Sequence, residues 1–285
     1  SRELIDWMYR SGIGAHGSDE VTGGNTLITL INNVRRDGNG NEAGPNYNAL
    51  WNNGIETIAE ALDGYDGYSE MDMYKNPKFI MMLKSFMPLV MTRNTTVQVG
   101  DSGRTAQTEL IAPASNRLMR MYQKTGDPEF AQFAYFLNGN TTEGMHMDIF
   151  TPNPNDIQKE IQAAIDEHGE YNWDASNMIA GYGFAALRDG SKYADKDTQR
   201  DFWMYFGGAL SHAHRDFLNL GIDAYGISIS SDNGYPEQTG SYPSRHQWTN
   251  VTLSHNTVVV NETSSVKPED PAKPLHYDDK DTPVK

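Results

Sequence analysis

Two histidines in the motif His212-Ala-His214 have the residue type and spacing for acid–base or metal chemistry. Alternating residues follow over 218–224, a period that predicts a half-buried strand. Side chains two positions apart on a strand share a face. We therefore expect His212 and His214 to point into one site.

A carboxylate and a third imidazole stand on separate segments nearby. Asp232 lies beside a glycine turn, and His255 precedes the β-branched run 257–260, which predicts another strand. Two imidazoles and a carboxylate suit zinc or a similar divalent ion. The alternative for each histidine alone is a hydrogen-bonded side chain at the mouth of a strand.

Length and composition exclude several function classes. The 285 residues carry a formal charge of −15 and no cysteine. This charge argues against general affinity for nucleic acid or anionic membranes, and thiol chemistry is excluded. The apolar runs are too short for a membrane span, and no signal-like segment opens the chain. A first residue of Ser is consistent with a processed product or an excised segment.

Apolar residues at helical spacing dominate the first 170 residues. Asn76-Pro77 caps one such segment, and Gly126-Asp127 separates two others, which predicts a helical hairpin. The spacing predicts six or more antiparallel helices, an α/α array, within residues 3–9, 27–34, 50–62, 77–86, 117–124, 128–136 and 156–165.

Strand-like segments take over near residue 175. They occupy 179–187, 200–206 and the stretch after His214. We therefore predict a helical domain over 1–175 and a β domain over 176–285. The tail 264–285, rich in proline and charge, is expected to be an exposed loop or the place where a longer β domain is cut.

Three groups of motifs resemble the heparinase II/III-like polysaccharide lyases. They are His212-Ala-His214-Arg-Asp-Phe-Leu-Asn-Leu, Asp232-Asn-Gly-Tyr-Pro and Asn250-Val-Thr-Leu-Ser-His255-Asn-Thr-Val-Val-Val, and the loop 42–47 and segment 181–188 extend the likeness. The resemblance implies an α+β, multidomain fold: an incomplete (α/α) toroid followed by the first strands of an antiparallel β-sandwich. It also implies a periplasmic or secreted location.

The resemblance implies cleavage of a uronic-acid polysaccharide by β-elimination. A base removes the C5 proton, the C4 oxygen leaves, and the site must stabilise the developing enolate. The family's tyrosine, base and then acid, matches Tyr47 in Gly44-Pro-Asn-Tyr47, and His212 matches its assisting histidine. The alternative for Tyr47 is a tyrosine packed at a helix start with its hydroxyl in solvent.

Further residues are assigned by the same resemblance or by residue type. His214, Asp232 and His255 match positions that hold one divalent metal, zinc, in some members, where the ion braces the loops. A cationic, stacking surface for the anionic polysaccharide is expected from four residues, for which solvated loop side chains are the alternative: Arg104, Arg245, His246 and Trp248. The family's carboxylate-neutralising Asn–His pair has no clear match.

Two other functions compete with the lyase. A metal-dependent hydrolase would use His212-Ala-His214 catalytically, lose activity with a chelator and form a product without a double bond. A noncatalytic carbohydrate-binding or scaffold fragment is the second. Because both ends of the chain look cut relative to the family, we expect the rest of the same protein, or a partner chain, to complete the toroid and the sandwich.

Overall fold

The computed structural model describes residues 2–11, 26–40, 42–104, 107–190, 198–208, 211–235 and 245–264. Its α-helices all precede residue 170, and the helices predicted there are confirmed. They are α1 Arg2–Asp6, α2 Leu27–Asn33, α3 Pro45–Ala61, α4 Pro77–Lys84, α5 Ser115–Thr125, α6 Pro128–Leu137 and α7 Ile157–His168. None of the described helices combines the length and hydropathy that a membrane span requires.

Local sequence signals set the helix ends. Asn76 caps α4 by accepting hydrogen bonds from the backbone N–H groups of Lys78 and Phe79, at 3.0 and 3.3 Å. The α5–α6 hairpin turns at Gly126, whose φ of 70° suits glycine, and Asp127 caps α6 ahead of Pro128. Each cap satisfies backbone groups that a helix end leaves free.

A five-stranded antiparallel sheet follows the helices. Its strands pair in sequence order: β3 Asn177–Ile179, β4 Phe184–Asp189, β5 Arg200–Tyr205, β6 Asn219–Ala224 and β7 Ile227–Ser228. A separate two-stranded sheet pairs β1 Val90–Met91 with β2 Thr95–Thr96. The strands predicted over 200–206 and 218–224 are confirmed, whereas the strand predicted over 179–187 is interrupted by a turn at 180–183 that joins β3 to β4.

One face of the five-stranded sheet is packed. Trp203 fits because Gly221 stands opposite, where a Cβ atom would lie 2.0 Å from the indole ring. The indole Nε1–H donates to buried Asp223 at 2.8 Å. The buried cluster on this side comprises Ala43, Leu89, Met91, Val97, Val99, Tyr182, Phe184, Ala186, Trp203, Tyr205 and Ala213.

The opposite face is apolar and exposed. Leu187, Phe202 and Ile222 are cross-strand neighbours on β4, β5 and β6, with exposed fractions of 64%, 39% and 42%. Ile227 on β7 and Met178 on β3 are also exposed. Period-2 alternation here gives two apolar faces instead of one apolar and one polar face.

The chain divides into two compact units whose segments interleave. The helical unit contains 1–38, 52–87 and 112–172, and the sheet unit contains 39–51, 88–111 and 173–285. The single division at residue 175 stays a prediction about domains. Hydrophobic period reports local structure, so it does not show that segments 39–51 and 88–111 group with the sheet.

The strand predicted over 257–260 is wrong. Only Val260 forms a bridge there, to Thr263. Thr257 instead contacts the loop that precedes β6, where its Oγ1 donates a hydrogen bond to the Phe217 carbonyl at 2.6 Å. The predicted tail, from 265 onward, lies outside the described residues.

Candidate functional site

Three segments of the sheet unit meet through backbone hydrogen bonds. Ala43 N–H donates to the Ser211 carbonyl, and Asp101 N–H donates to the His212 carbonyl, both at 3.0 Å. Gly100 permits this approach, because a Cβ atom there would lie 2.4 Å from the His212 carbonyl oxygen. These bonds fix three segments side by side: 42–47, which includes the first turn of α3, 97–104 and 211–216.

Tyr47 and His212 form the centre of the site. Tyr47 lies in the first turn of α3, and its ring stacks on that of His212 with centroids 3.4 Å apart and planes 7° apart. Glu42 Oε2 lies 2.8 Å from His212 Nδ1. A carboxylate accepts this hydrogen bond, so the proton resides on Nδ1 and Nε2 of a neutral ring keeps its lone pair.

The two histidines of the His-x-His motif serve different neighbours, so the prediction that they share one face is wrong. Residues 211–217 form no strand, and His212 has a left-handed φ of 45°. This conformation breaks the alternation of side chains. His212 contacts Tyr47, whereas His214 lies in a buried polar cluster.

Tyr235 and Arg245 stand beside Tyr47. The Tyr235 ring meets the Tyr47 ring edge-on at 6.1 Å, and the Arg245 guanidinium lies 5.2 Å from the Tyr235 centroid. Burial, the Tyr235 hydroxyl and the charge of Asp101 raise the pKa of Tyr47 to about 12, while Arg245 opposes this shift. The phenol therefore holds its proton at neutral pH.

His214, Asp232 and His255 form a buried cluster whose side chains are at most 1% exposed. His214 Nδ1 and His255 Nε2 are 3.1 Å apart, and Asp232 oxygens lie 3.8 and 3.5 Å from them. Possible ligand atoms of all three lie within 4.8 Å of one another. The structure thus brings together the three residues predicted to hold a metal.

In each of these imidazoles, the nitrogen that faces away from the cluster forms a hydrogen bond. His214 Nε2 donates to Asp101 at 2.9 Å, and His255 Nδ1 donates to the Val251 carbonyl at 2.9 Å. Each neutral ring then turns a lone pair towards the other, beside a carboxylate. A cation between the two rings would accept both lone pairs and offset the charge of the carboxylate.

The cluster has the dimensions of a zinc site. A tetrahedral zinc ion with ligands at about 2.0 Å separates neighbouring ligand atoms by about 3.3 Å. The observed separations of 3.1 to 3.8 Å fit this value. Burial alone would lower the pKa of His214, but the Asp101 hydrogen bond and nearby carboxylates raise it, which reflects the same excess of negative charge.

Asn219 and Gly234 hold Asp232 in this cluster. The Asn219 amide donates to Asp232 Oδ2 at 2.8 Å, and the Gly234 N–H donates to Oδ1 at 2.9 Å. Gly234 has a φ of 58°, and a Cβ atom there would lie 2.6 Å from the Ser102 carbonyl oxygen. The glycine turn seen in the sequence thus sets the carboxylate.

A cavity of about 450 Å³ lies between Tyr235 and residues 103–104 and 107–109. Arg104, predicted to bind substrate, lines this cavity with Asn46, Gly103, Gln107, Thr108, Glu109 and Tyr235. Arg245 lies behind Tyr235, bound to Asp101, and Trp248 is 54% exposed. The His246 side chain lies outside the described part of the structure.

A larger cavity, of about 980 Å³, belongs to the helical unit. Its polar side chains bond one another: Arg10 pairs with Glu70, and the Tyr68 hydroxyl donates to Asp6 at 2.7 Å. Volume alone does not make an active site, so we assign the chemistry to the smaller cavity beside Tyr235.

Sequence reasoning gave no role to Glu42, Asp101, Asn219 or Tyr235. Glu42, Asn219 and Tyr235 lie inside the motifs that carry the family resemblance, so their positions were a usable signal. Asp101 follows Gly100 in a stretch with a second glycine at 103, a composition typical of loops, yet it is 1% exposed. A carboxylate in a glycine-rich loop is usually solvated, so nothing local indicated that Asp101 is buried.

The family model described as Heparinase II/III-like, C-terminal, matches residues 204–274. No curated protein matches the chain. Solved structures similar to it include a heparinase III, with 15% identity, a TM-score of 0.53 and coverage of 84% of this chain and 34% of that chain. A heparan sulfate lyase HepC mutant from Pedobacter heparinus has 17% identity, a TM-score of 0.51 and coverage of 87% and 37%.

The unmutated HepC structure gives 16% identity, a TM-score of 0.51 and coverage of 84% and 32%. The predicted resemblance to the heparinase II/III-like proteins is confirmed, as is the predicted fold class of an incomplete (α/α) toroid followed by antiparallel β-sandwich strands. This chain spans about a third of the length of those solved chains.

Proposed function

We propose that this heparinase II/III-like chain forms the catalytic part of a polysaccharide lyase that cleaves a uronic-acid-containing glycan by β-elimination. The observation that carries the proposal is the stacked pair Tyr47–His212, with Glu42 bound to His212 Nδ1. A phenol and an imidazole side by side offer two proton-transfer groups to one face of a substrate.

The chemistry needs one base and one acid. A base takes the C5 proton, the electron pair forms the C4–C5 double bond through an enolate, and the C4–O4 bond breaks as O4 gains a proton. A positive group must offset the C6 carboxylate. Arg104 is a cation of the cavity beside Tyr235 and serves this role in the proposal.

The geometry supports a division of roles between the two rings. The hydrogen bond to Glu42 places the proton of a neutral His212 imidazole on Nδ1, so Nε2 carries the lone pair that removal of the C5 proton needs. The raised pKa of Tyr47 keeps its proton available for O4. We therefore assign the base step to His212 and the acid step to Tyr47, whereas the sequence alone predicted Tyr47 for both.

The cluster of His214, Asp232 and His255 would hold one divalent ion, zinc by its donor set. The ion would supply structural bracing, because the three ligands join separate segments and their side chains are at most 1% exposed. Burial also disfavours the metal-dependent hydrolase, whose ion needs an open position that substrate can reach.

The exposed apolar face of the sheet supports a larger assembly. Leu187, Phe202 and Ile222 leave hydrocarbon in water, an arrangement that marks an interaction surface. We propose that further polypeptide of the same protein covers this face, with a partner chain as the alternative. A periplasmic or secreted location, where anionic polysaccharides are accessible, belongs to this proposal.

A panel of uronate polysaccharides tests the function. The chain is incubated, alone and within its complete polypeptide, with sulfated and unsulfated uronate polymers, and absorbance of the unsaturated uronate is followed. Elimination gives this chromophore, whereas hydrolysis gives new reducing ends without it. Reducing ends without the chromophore would reject the lyase, and binding without any cleavage would favour the noncatalytic alternative.

A further inference from the structure

Asp101 occupies an unusual position for a carboxylate in a loop. Its side chain is 1% exposed, and its backbone N–H donates to the His212 carbonyl at 3.0 Å. A buried charge is costly unless it is paired and hydrogen-bonded. The partners of Asp101 therefore indicate why it is buried.

The Asp101 carboxylate accepts hydrogen bonds from two side chains, those of His214 and Arg245. Oδ1 accepts from His214 Nε2 at 2.9 Å and from Arg245 Nη1 at 2.5 Å, while Oδ2 accepts from Arg245 Nη2 at 2.6 Å. The Arg245 contact is bidentate, a geometry that fixes the plane of a guanidinium. One side chain thus sets the orientation of two others.

Each oriented group leads to a different part of the site. The hydrogen bond to Asp101 leaves Nδ1 of His214 facing Asp232 and His255. The guanidinium of Arg245, held by the same carboxylate, lies over Tyr235, which contacts Tyr47 edge-on. Asp101 stands where the buried cluster and the tyrosines meet.

We propose that Asp101 is a positioning residue that links the cation cluster to the acid–base pair. It selects the His214 tautomer that can bind a metal ion, and it holds Arg245 beside the tyrosines. The catalytic half of this inference rests on the proposed elimination; the metal-binding half does not.

Three variants separate these effects. Asp101→Asn retains the shape and one carbonyl oxygen but places an amide where Arg245 needs an acceptor. Arg245→Lys keeps the charge and loses the bidentate fork. Asp201→Asn is the matched control, because Asp201 is also 1% exposed in the sheet unit but accepts from the Thr92 N–H and Gln199.

Zinc affinity, measured by competition with a chromogenic chelator, reads the cluster directly. Asp101→Asn should weaken zinc binding by about 10- to 100-fold, as loss of a carboxylate behind a histidine ligand does elsewhere. Arg245→Lys and Asp201→Asn should keep the wild-type affinity. Wild-type zinc affinity in folded Asp101→Asn protein would overturn the metal-binding half.

Elimination kinetics test the catalytic half of the proposal. Asp101→Asn and Arg245→Lys should each lower kcat by about tenfold or more with little change in KM, and the double variant should be no slower than Asp101→Asn. If the kcat reduction of the double variant equals the product of the two single reductions, the two residues act independently, and the proposal that Asp101 acts through Arg245 is wrong. Asp101→Glu replaces Asp101→Asn if the latter does not fold.

A double-mutant cycle in unfolding free energy keeps this test separate from the proposed function. Coupling between Asp101 and Arg245 is measurable in a protein that degrades no glycan. If the wild-type protein lacks lyase activity, the proposed function fails, whereas coupling together with weakened zinc binding still supports Asp101. Absence of both overturns the inference.

Discussion

The imidazole of His212 lies flat on the phenol of Tyr47, with ring centroids 3.4 Å apart and planes inclined by 7°. Glu42 holds the imidazole from the side through Nδ1. The phenol belongs to a helix start and the imidazole to a loop before β6, so their stacking depends on the backbone bond between Ala43 and Ser211. Chemistry at one ring is therefore sensitive to the position of the other.

Replacement of Tyr47 by phenylalanine removes the acid and keeps the stacked ring. We expect Tyr47→Phe to lower kcat by about 10²- to 10⁴-fold while KM changes little. Tyr225→Phe, at a 62% exposed tyrosine of the same unit, is the control and should keep wild-type kinetics. Near-normal elimination by Tyr47→Phe would reject this residue as the proton donor.

Glu42→Gln tests the orientation of His212. The amide can rotate to offer its N–H₂ to Nδ1, which stabilises the wrong tautomer and protonates Nε2. We expect kcat to fall at least about tenfold, with substrate binding retained. The comparison is Glu160→Gln on exposed α7 surface. Equal kcat values for the two variants would show that Glu42 does not orient the base.

Local patterns in the sequence predicted most of the fold and part of the site. The helix cap at Asn76, the break at Gly126-Asp127 and the period-2 alternation of β5 each depend on a few neighbouring residues, so the sequence alone reveals them. The three metal-binding candidates were predicted by motif resemblance, and the structure places them together.

Contacts between distant segments were not predictable in this way. Asp101 bonds to Arg245 and His214, more than a hundred positions away, and no local period encodes such a contact. The left-handed backbone at His212 likewise depends on its surroundings, and it separated two histidines that alternation would place on one face.

Zinc should stabilise the folded chain. An ion that binds the native cluster but not the unfolded chain raises the unfolding temperature, and the increase grows with the logarithm of the free zinc concentration above the Kd. We expect Asp232→Asn, which removes one ligand charge, to abolish most of this increase in a thermal melt with added zinc. Asp174→Asn serves as the control because Asp174 lies outside the cluster. An equal zinc-induced increase in both variants would place the ion elsewhere.

Asp223 should make stability depend on pH. Burial, opposed by hydrogen bonds from Trp203 and Ser228, raises its pKa from 3.8 to about 6. Between these values the native state binds more protons than the unfolded state, so the free energy of unfolding falls as pH rises from about 4 to about 6. The total effect is at most about 3 kcal/mol.

Asp223→Asn removes this ionisation and can keep its carbonyl oxygen facing Trp203. The variant should therefore be more stable than wild type at pH 8, with a difference that vanishes below about pH 4. Urea unfolding across this pH range measures the effect. A stability difference independent of pH would show that the Asp223 carboxyl does not titrate in this window.

Charged substitutions on the apolar outer face of the sheet should benefit the isolated chain and destabilise the complete polypeptide. Phe202 and Ile222 face each other across β5 and β6 and are about 40% exposed. In the isolated chain, Phe202→Lys combined with Ile222→Glu should reduce self-association and binding of a hydrophobic dye, because it replaces exposed hydrocarbon by a cross-strand ion pair. Sedimentation velocity and dye fluorescence measure this change.

Within the complete polypeptide the same double substitution should be costly, because charge would be buried where further chain covers the sheet. We expect the midpoint of thermal unfolding to fall there, although the isolated chain tolerates the change. The control is the double substitution Leu110→Lys and Leu253→Glu, at exposed positions outside the five strands. It should change neither the self-association of the isolated chain nor the unfolding midpoint of the complete polypeptide. A complete polypeptide that tolerates the pair at Phe202 and Ile222 would show that this face remains in water.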